Sequence, residues 1–177
     1  MYENELKLLN FAFKNRFNKK IKELKKLYQA TIDGDRVINF HSKCDNIPNT
    51  LVLIKSEGNR RFGGFTSIPW TSPIEQEFKD DPNAFLFSLD KQKIYPYIKK
   101  DKDKKVIAIG PCKDIGPCFG EYDIYVEDHF IENKGLYTCE DNSDAYYNFH
   151  EDRTALSESN SNAILAVELE VFQVIFE

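Results

Sequence analysis

From Thr50 onward the sequence is a succession of short apolar runs separated by turn signals. LVLIK (51–55) and RFGGFTS (61–67) flank Glu57-Gly58-Asn59, and AFLFSLD (84–90) and KIYPYIK (93–99) follow as a second pair. Each pair predicts a β-hairpin. Pro96 cannot donate to a ladder, so its strand is expected at a sheet edge or at a bulge. VIAIG (106–110) and EYDIYV (121–126) flank the loop GPCKDIGPCFG and predict two more strands. In AILAVELEVFQVIFE (163–177), Leu165, Val167, Leu169 and Val171 alternate with Ala166, Glu168 and Glu170, the period of a half-buried strand. Residues 127 to 162 are acidic, rich in Asn and Ser and without clear period, and predict a long surface loop with some extended pieces. About six or seven strands with few helices between them argue against a βαβ sheet. They predict a mostly β, α+β fold: an antiparallel two-sheet β-sandwich with a few flanking helices.

Before Thr50 the pattern differs. Leu6, Leu9, Phe13, Phe17, Ile21, Leu24 and Tyr28 recur at steps of three or four, the spacing of one helical face. This predicts an N-terminal amphipathic helix over residues 1–26, ahead of the Asp33-Gly34 turn, and a sandwich domain over 27–177. Residues 38 to 50, INFHSKCDNIPNT, predict a short helix that ends in a loop at Asn46 to Asn49. Charge divides the same way. Residues 1–26 hold 8 of the 24 Lys and Arg but only 3 of the 29 Asp and Glu, a balance of +5 against −10 for the rest. A basic segment on an acidic body is the pattern of a solvated helix face, of a contact with an acidic partner, or of phosphate binding by residues such as Lys19, Lys20 and Lys22.

No run of about 18 apolar residues occurs, so no membrane insertion is expected. The amino-terminal stretch has early acids and an interrupted apolar pattern, which does not suit a cleaved signal peptide. A monomer in the cytoplasm, or in the nucleus, is the expectation. Without a secretory context, Cys44, Cys112, Cys118 and Cys139 are expected as reduced thiols. Neither His41-x-x-Cys44 nor Cys112-x5-Cys118 has the tight paired spacing of a zinc site, so neither a metal nor any other cofactor is expected.

Gly63 and Gly64 stand between Phe62 and Phe65, just ahead of the chain's single tryptophan, Trp70. Their spacing fits neither a P-loop nor a dinucleotide fingerprint, and no helix follows them. Glycine inside a strand marks a bulge or a close approach by another group, so aromatic rings are expected across this backbone. His41, Cys44 and Asp45 together have the residue types of a nucleophilic triad. Such triads are assembled by the fold from distant positions, so local clustering does not identify one. No catalytic residue is assigned, and no enzymatic activity is expected.

Several segments together resemble a known family. Leu27, Tyr28, Asp33 and Gly34 lead into Phe40, His41, Cys44, Asp45 and Asn46; then follow residues 50–70, DPNAFLFSL (81–89), GPCFGEYDIYV (116–126) and ELEVFQV (168–174). In this order they resemble the TLDc domain of the oxidation-resistance proteins, from about Lys26 to Glu177. Phe40, His41, Cys44, Asp45, Gly63, Gly64, Trp70, Phe85, Gly116, Phe119, Gly120, Asp123 and Glu170 are the positions that carry the match. The resemblance implies an antiparallel two-sheet sandwich without an accepted catalytic site. It also implies a stress-linked protein-interaction role, with the vacuolar-type proton ATPase as the partner. The alternative reading is a stress-response regulator that associates with nucleic acid through its basic N-terminal segment. The region from 127 to 162 matches the family pattern poorly.

Overall fold

The structure is a computed structural model that describes residues 2–98, 107–138, 146 and 163–177 of the 177-residue chain. Its elements run α1 (Glu3–Phe17), β1 (Ile21–Gln29), α2 (Ala30–Asp33), α3 (Val37–Cys44), β2 (Thr50–Ser56), β3 (Arg61–Thr66), β4 (Phe85–Ser88), β5 (Lys93–Pro96), β6 (Cys118–Phe119), β7 (Ile124–Val126), β8 (Leu136–Tyr137), β9 (Ala163–Ile164) and β10 (Ala166–Phe176). A six-stranded sheet in the order β1-β10-β2-β3-β4-β5 faces a four-stranded sheet, β6-β7-β8-β9. Among the described residues, every pairing between these strands is antiparallel. The expected α+β, sandwich-like fold is therefore present, with both hairpins in place and Pro96 on an edge strand.

The large sheet is covered on both faces. Val52, Ile54, Phe62 and Leu86 pack with Phe119, Ile124, Val126 and Leu136 of the small sheet and with Phe40 and Trp70. On the other face Leu51, Leu53, Phe65, Phe85 and Phe87 pack with Leu9, Ala12 and Phe13 of α1. Double coverage explains why β2 reads as a continuous apolar run where a half-exposed strand would alternate. The N-terminal helix is thus a third layer of the domain.

That helix is also shorter than the apolar spacing predicts. It ends at Asn18, whose left-handed backbone (φ 55°) caps the Lys14 carbonyl. From Ile21 the chain is a strand that pairs with β10 along its length. The pairing has irregularities between Ile21 and Glu23 and between Lys26 and Tyr28. The first turns an alternation of two into the step of three from Ile21 to Leu24, which both pack on the α1 side of the sheet, whereas Tyr28 lies on the other face with Phe40 and Trp70. The division into a basic helix over 1–26 and a domain beginning at 27 does not hold, because β1 spans that boundary.

Other expectations are corrected in the loops. VIAIG forms no strand among its described residues; Ile109 alone makes isolated bridges, to Lys79 and Phe119. Its backbone instead closes irregular contacts: the Ala108 amide donates to the Lys79 carbonyl and Gly110 to that of Cys118. Of the predicted strand at 121–126, only Ile124–Val126 is extended, because residues 121–123 form a turn. Within the expected surface loop, Leu136–Tyr137 pairs on both sides as a strand of the small sheet. The rest of that loop, apart from 127–138 and Tyr146, lies outside the described residues, as does Cys139.

Candidate functional site

The family-type positions fall into three places. The largest group lies between the sheets and under α3. Its centre is Gly64, whose pairing with Val52 and Leu86 is regular, so the expected bulge is absent. A methyl group added at Gly64 would meet the Phe119 ring at 2.6 to 2.8 Å, and one at Gly63 would lie 1.9 Å from the Val52 carbonyl oxygen. The two glycines therefore serve different neighbours: Gly64 admits an aromatic ring from the facing sheet, and Gly63 admits backbone. From Phe119 a train of edge-on rings continues to Trp70 (5.4 Å between centroids), Phe40 (5.8 Å) and Tyr28 (6.1 Å). The buried Trp70 indole N–H donates to Thr50 Oγ1 at 2.9 Å, so the polar end of the ring is satisfied.

His41 and Asp45 sit one helical turn apart, at the C-terminal end of α3. His41 Nδ1 lies 2.8 Å from Asp45 Oδ1, and Nε2 lies 2.9 Å from the carbonyl oxygens of both Cys112 and Ile115. The second Asp45 oxygen accepts from the Ser72 hydroxyl. Aspartate is thus the middle member of Ser72–Asp45–His41, whereas a nucleophile relay places histidine in the middle. All three polar neighbours of the His41 ring are acceptors, so neither nitrogen faces a nucleophile. What the arrangement does is fasten the 110–120 loop to α3.

Cys44 faces the core beside these residues, and burial pushes its thiol far above the ordinary cysteine range. Cys118 is likewise buried and its thiol is pushed up to about 12, first by burial and then by Asp123. Thiolate is the reactive form, so both are chemically muted. Native protein at pH 8 is expected to leave Cys44 and Cys118 unlabelled by a maleimide on a timescale that fully labels urea-unfolded chain. Stoichiometric labelling of either in mass-mapped peptides would contradict the geometry. Among the described residues, no group of three or more His, Cys, Asp or Glu could hold a metal ion.

The remaining positions of this group shape the small sheet. Gly116 donates its amide to the Val126 carbonyl at 2.8 Å, Gly120 takes a positive φ of 64° and donates to Ala108, and Asp123 is fully buried. Phe85 belongs to a second place, on the α1 side of the large sheet, stacked on Phe65 at 5.3 Å. Glu170 occupies the third, on β10, where its carboxylate pairs with Lys26 of β1.

Lys19, Lys20 and Lys22 are exposed, but they are not on a helix. They lie in the α1–β1 turn and at the start of β1, folded back against the helix. The Ile21 amide donates to the Asn10 side chain at 2.9 Å and holds that turn down. Between turn and helix lies a groove of about 620 Å³ lined by Lys7, Asn10, Phe11, Lys14, Lys19 and Lys20, among others.

Spacing does not disclose Ser72, Thr50 or Asn10 as partners of this framework. Asp81 is a further buried case, held by Thr66, Ser67 and the Asn83 amide. Phe11 did carry a signal, since it stands off the apolar stripe of its own helix.

Compared with known families, the chain matches the model of the TLDc domain over residues 1–175. The match begins well before Lys26, in keeping with α1 as a layer of the fold. No curated protein matches the chain.

Proposed function

Because the chain belongs to the TLDc domain family, we propose that it is a non-enzymatic protein-interaction domain whose partner is the vacuolar-type proton ATPase. The family is generally linked to resistance against oxidative stress. The observation that carries binding over turnover is the commitment of His41, whose ring nitrogens face only acceptors supplied by Asp45 and by the 110–120 loop. Residue types suited to chemistry are present, yet they fasten loops and fill the core. No helix among the described residues is long and apolar enough to cross a membrane. The pump rests on the family resemblance.

Immobilised full chain incubated with purified proton ATPase tests the reading. Saturable retention of the pump, together with altered proton uptake by vesicles carrying it, is the expected result. No retention at micromolar concentrations of both would remove the pump from the proposal. The alternative, association with nucleic acid, draws on the exposed Lys19, Lys20 and Lys22. With a net charge of −5, duplex DNA is expected to bind no more tightly than about 10⁻⁵ M at physiological salt, the non-specific range.

A further inference from the structure

The groove between α1 and the turn that follows it combines a cationic rim with an exposed aromatic ring. Its rim is cationic: Lys7, Lys14, Lys19 and Lys20 line it, and Glu177 is the one acidic residue among its lining residues. Within it lies Phe11, 65% exposed on a helix whose other phenylalanines face inward. On a chain of net charge −5, this concentration of ammonium groups runs against the average of the molecule.

The local contacts leave those ammonium groups available. Lys7 pairs with Glu3 at 2.7 Å, but both side chains are more than two-thirds exposed, and such pairs hold weakly. Lys20 is 4.0 Å from Glu177, also at the surface. Lys14 donates to the Asn18 side chain at 2.6 Å, and Lys19 lies 5.2 Å over the Phe176 ring. Two of the four ammonium groups thus have carboxylate partners, both at the exposed surface where a pair exchanges readily, and Lys14 and Lys19 are held by uncharged groups. The groove is also built in advance. Asn18 in the left-handed conformation reverses the chain, and Asn10 clamps the Ile21 amide, so Lys19 and Lys20 are brought back beside Lys7 and Lys14.

We propose that this groove docks an acidic peptide segment of a protein partner, with carboxylates on the lysine rim and one apolar side chain against Phe11. Charge complementarity selects the partner's sign and speeds encounter. Phe11 selects a peptide over duplex nucleic acid, whose bases are stacked inside the helix and leave no apolar side chain to cover the ring. The inference goes beyond the pump reading. It needs no pump, and its probe is synthetic, so either can fail alone.

The test uses the full chain and a fluorescein-labelled peptide of Glu and Asp residues around one Leu-Phe pair, followed by anisotropy. Saturable binding is expected, with affinity falling as salt rises. Reversal of charge at Lys14, Lys19 and Lys20 together is expected to weaken it by about tenfold or more. Phe11→Ala is expected to weaken it by about fivefold, as lost apolar contact, and Lys113→Glu, at a separate surface groove, is expected to leave it unchanged. Circular dichroism checks that each surface variant stays folded. Absence of saturable binding, or equal affinity for Phe11→Ala, would overturn the proposal. So would tighter binding of duplex DNA or of phosphatidylserine vesicles than of the peptide.

Discussion

Gly63→Ala is expected to leave no cooperatively folded protein, while Gly64→Ala gives a folded but weakened one. The two residues are neighbours in one strand, and propensity alone would price them alike. Their surroundings separate them. A Cβ at Gly63 meets the Val52 carbonyl oxygen at 1.9 Å and its carbon at 2.9 Å, both main-chain atoms of the paired strand. Relief requires β2 and β3 to move apart in the middle of the sheet, with loss of ladder bonds on both sides. The cost is about 3 kcal/mol or more, which is a large share of a domain's stability. At Gly64 the obstruction is the Phe119 side chain, which can tilt at a cost of about 1–3 kcal/mol. Far-UV circular dichroism and urea unfolding separate the outcomes. Phe119→Leu should also cost less in the Gly64→Ala background than in the native one, because the ring is the obstruction. A Gly63→Ala protein that melts with the native one would show that strand β2 does not approach as described.

Removing α1 should be as damaging. Phe13 sits 4.8 Å from Phe65, 5.3 Å from Phe85 and 5.1 Å from Phe176, centroid to centroid. Glu5 is buried against Arg61 of β3, and Arg16 donates to the Pro82 carbonyl, so one end of the helix is tied to the sheet and the other to the loop ahead of β4. Phe13→Ala is expected to cost about 3–5 kcal/mol, the range for a buried phenylalanine. Deletion of residues 2–17 would uncover Phe65, Phe85 and Phe87 together and is expected to give aggregated protein. Phe11→Ala, on the opposite face of α1 and mostly exposed, should stay within about 0.5 kcal/mol of native. A soluble, cooperatively melting deletion protein would mean that the helix is an appendage after all.

Much of the architecture was legible in the chain because its strands obey local rules. Glu57-Gly58-Asn59 sets the first hairpin, Pro96 marks an edge, and the alternation of Leu169 and Val171 with Glu168 and Glu170 marks a strand, although the irregularity between Ala166 and Glu168 leaves Ala166 buried and Val167 exposed, against the expected period. What local rules could not show was the three-dimensional origin of a spacing. Ile21, Leu24 and Tyr28 are spaced like a helix face, yet Ile21 and Leu24 pack on one side of the sheet and Tyr28 on the other, a division that exists only once β1 is paired with β10. Leu136–Tyr137 was hidden for a similar reason: a two-residue strand has too little length to show a period. At the site, FGGF announced a close approach, and the approach is there. The sequence contained no indication that Gly63 and Gly64 face different neighbours, or that Ser72 would complete the contacts of Asp45.

The position of β10 has a kinetic meaning. It lies between β1 and β2, so the sheet's third interior contact surface is supplied by residues 166–176, far along the chain from both neighbours. Until that segment arrives, β1 has no partner and β2 shows a bare, apolar edge. Hairpins β2–β3 and β4–β5 close over short loops and form early, whereas inserting β10 closes loops that span most of the chain, which is the slow class of event. During synthesis the molecule therefore passes through a stage with an open slot in its main sheet. A strand from a second copy fits the same slot and competes with the tethered one only as protein concentration rises.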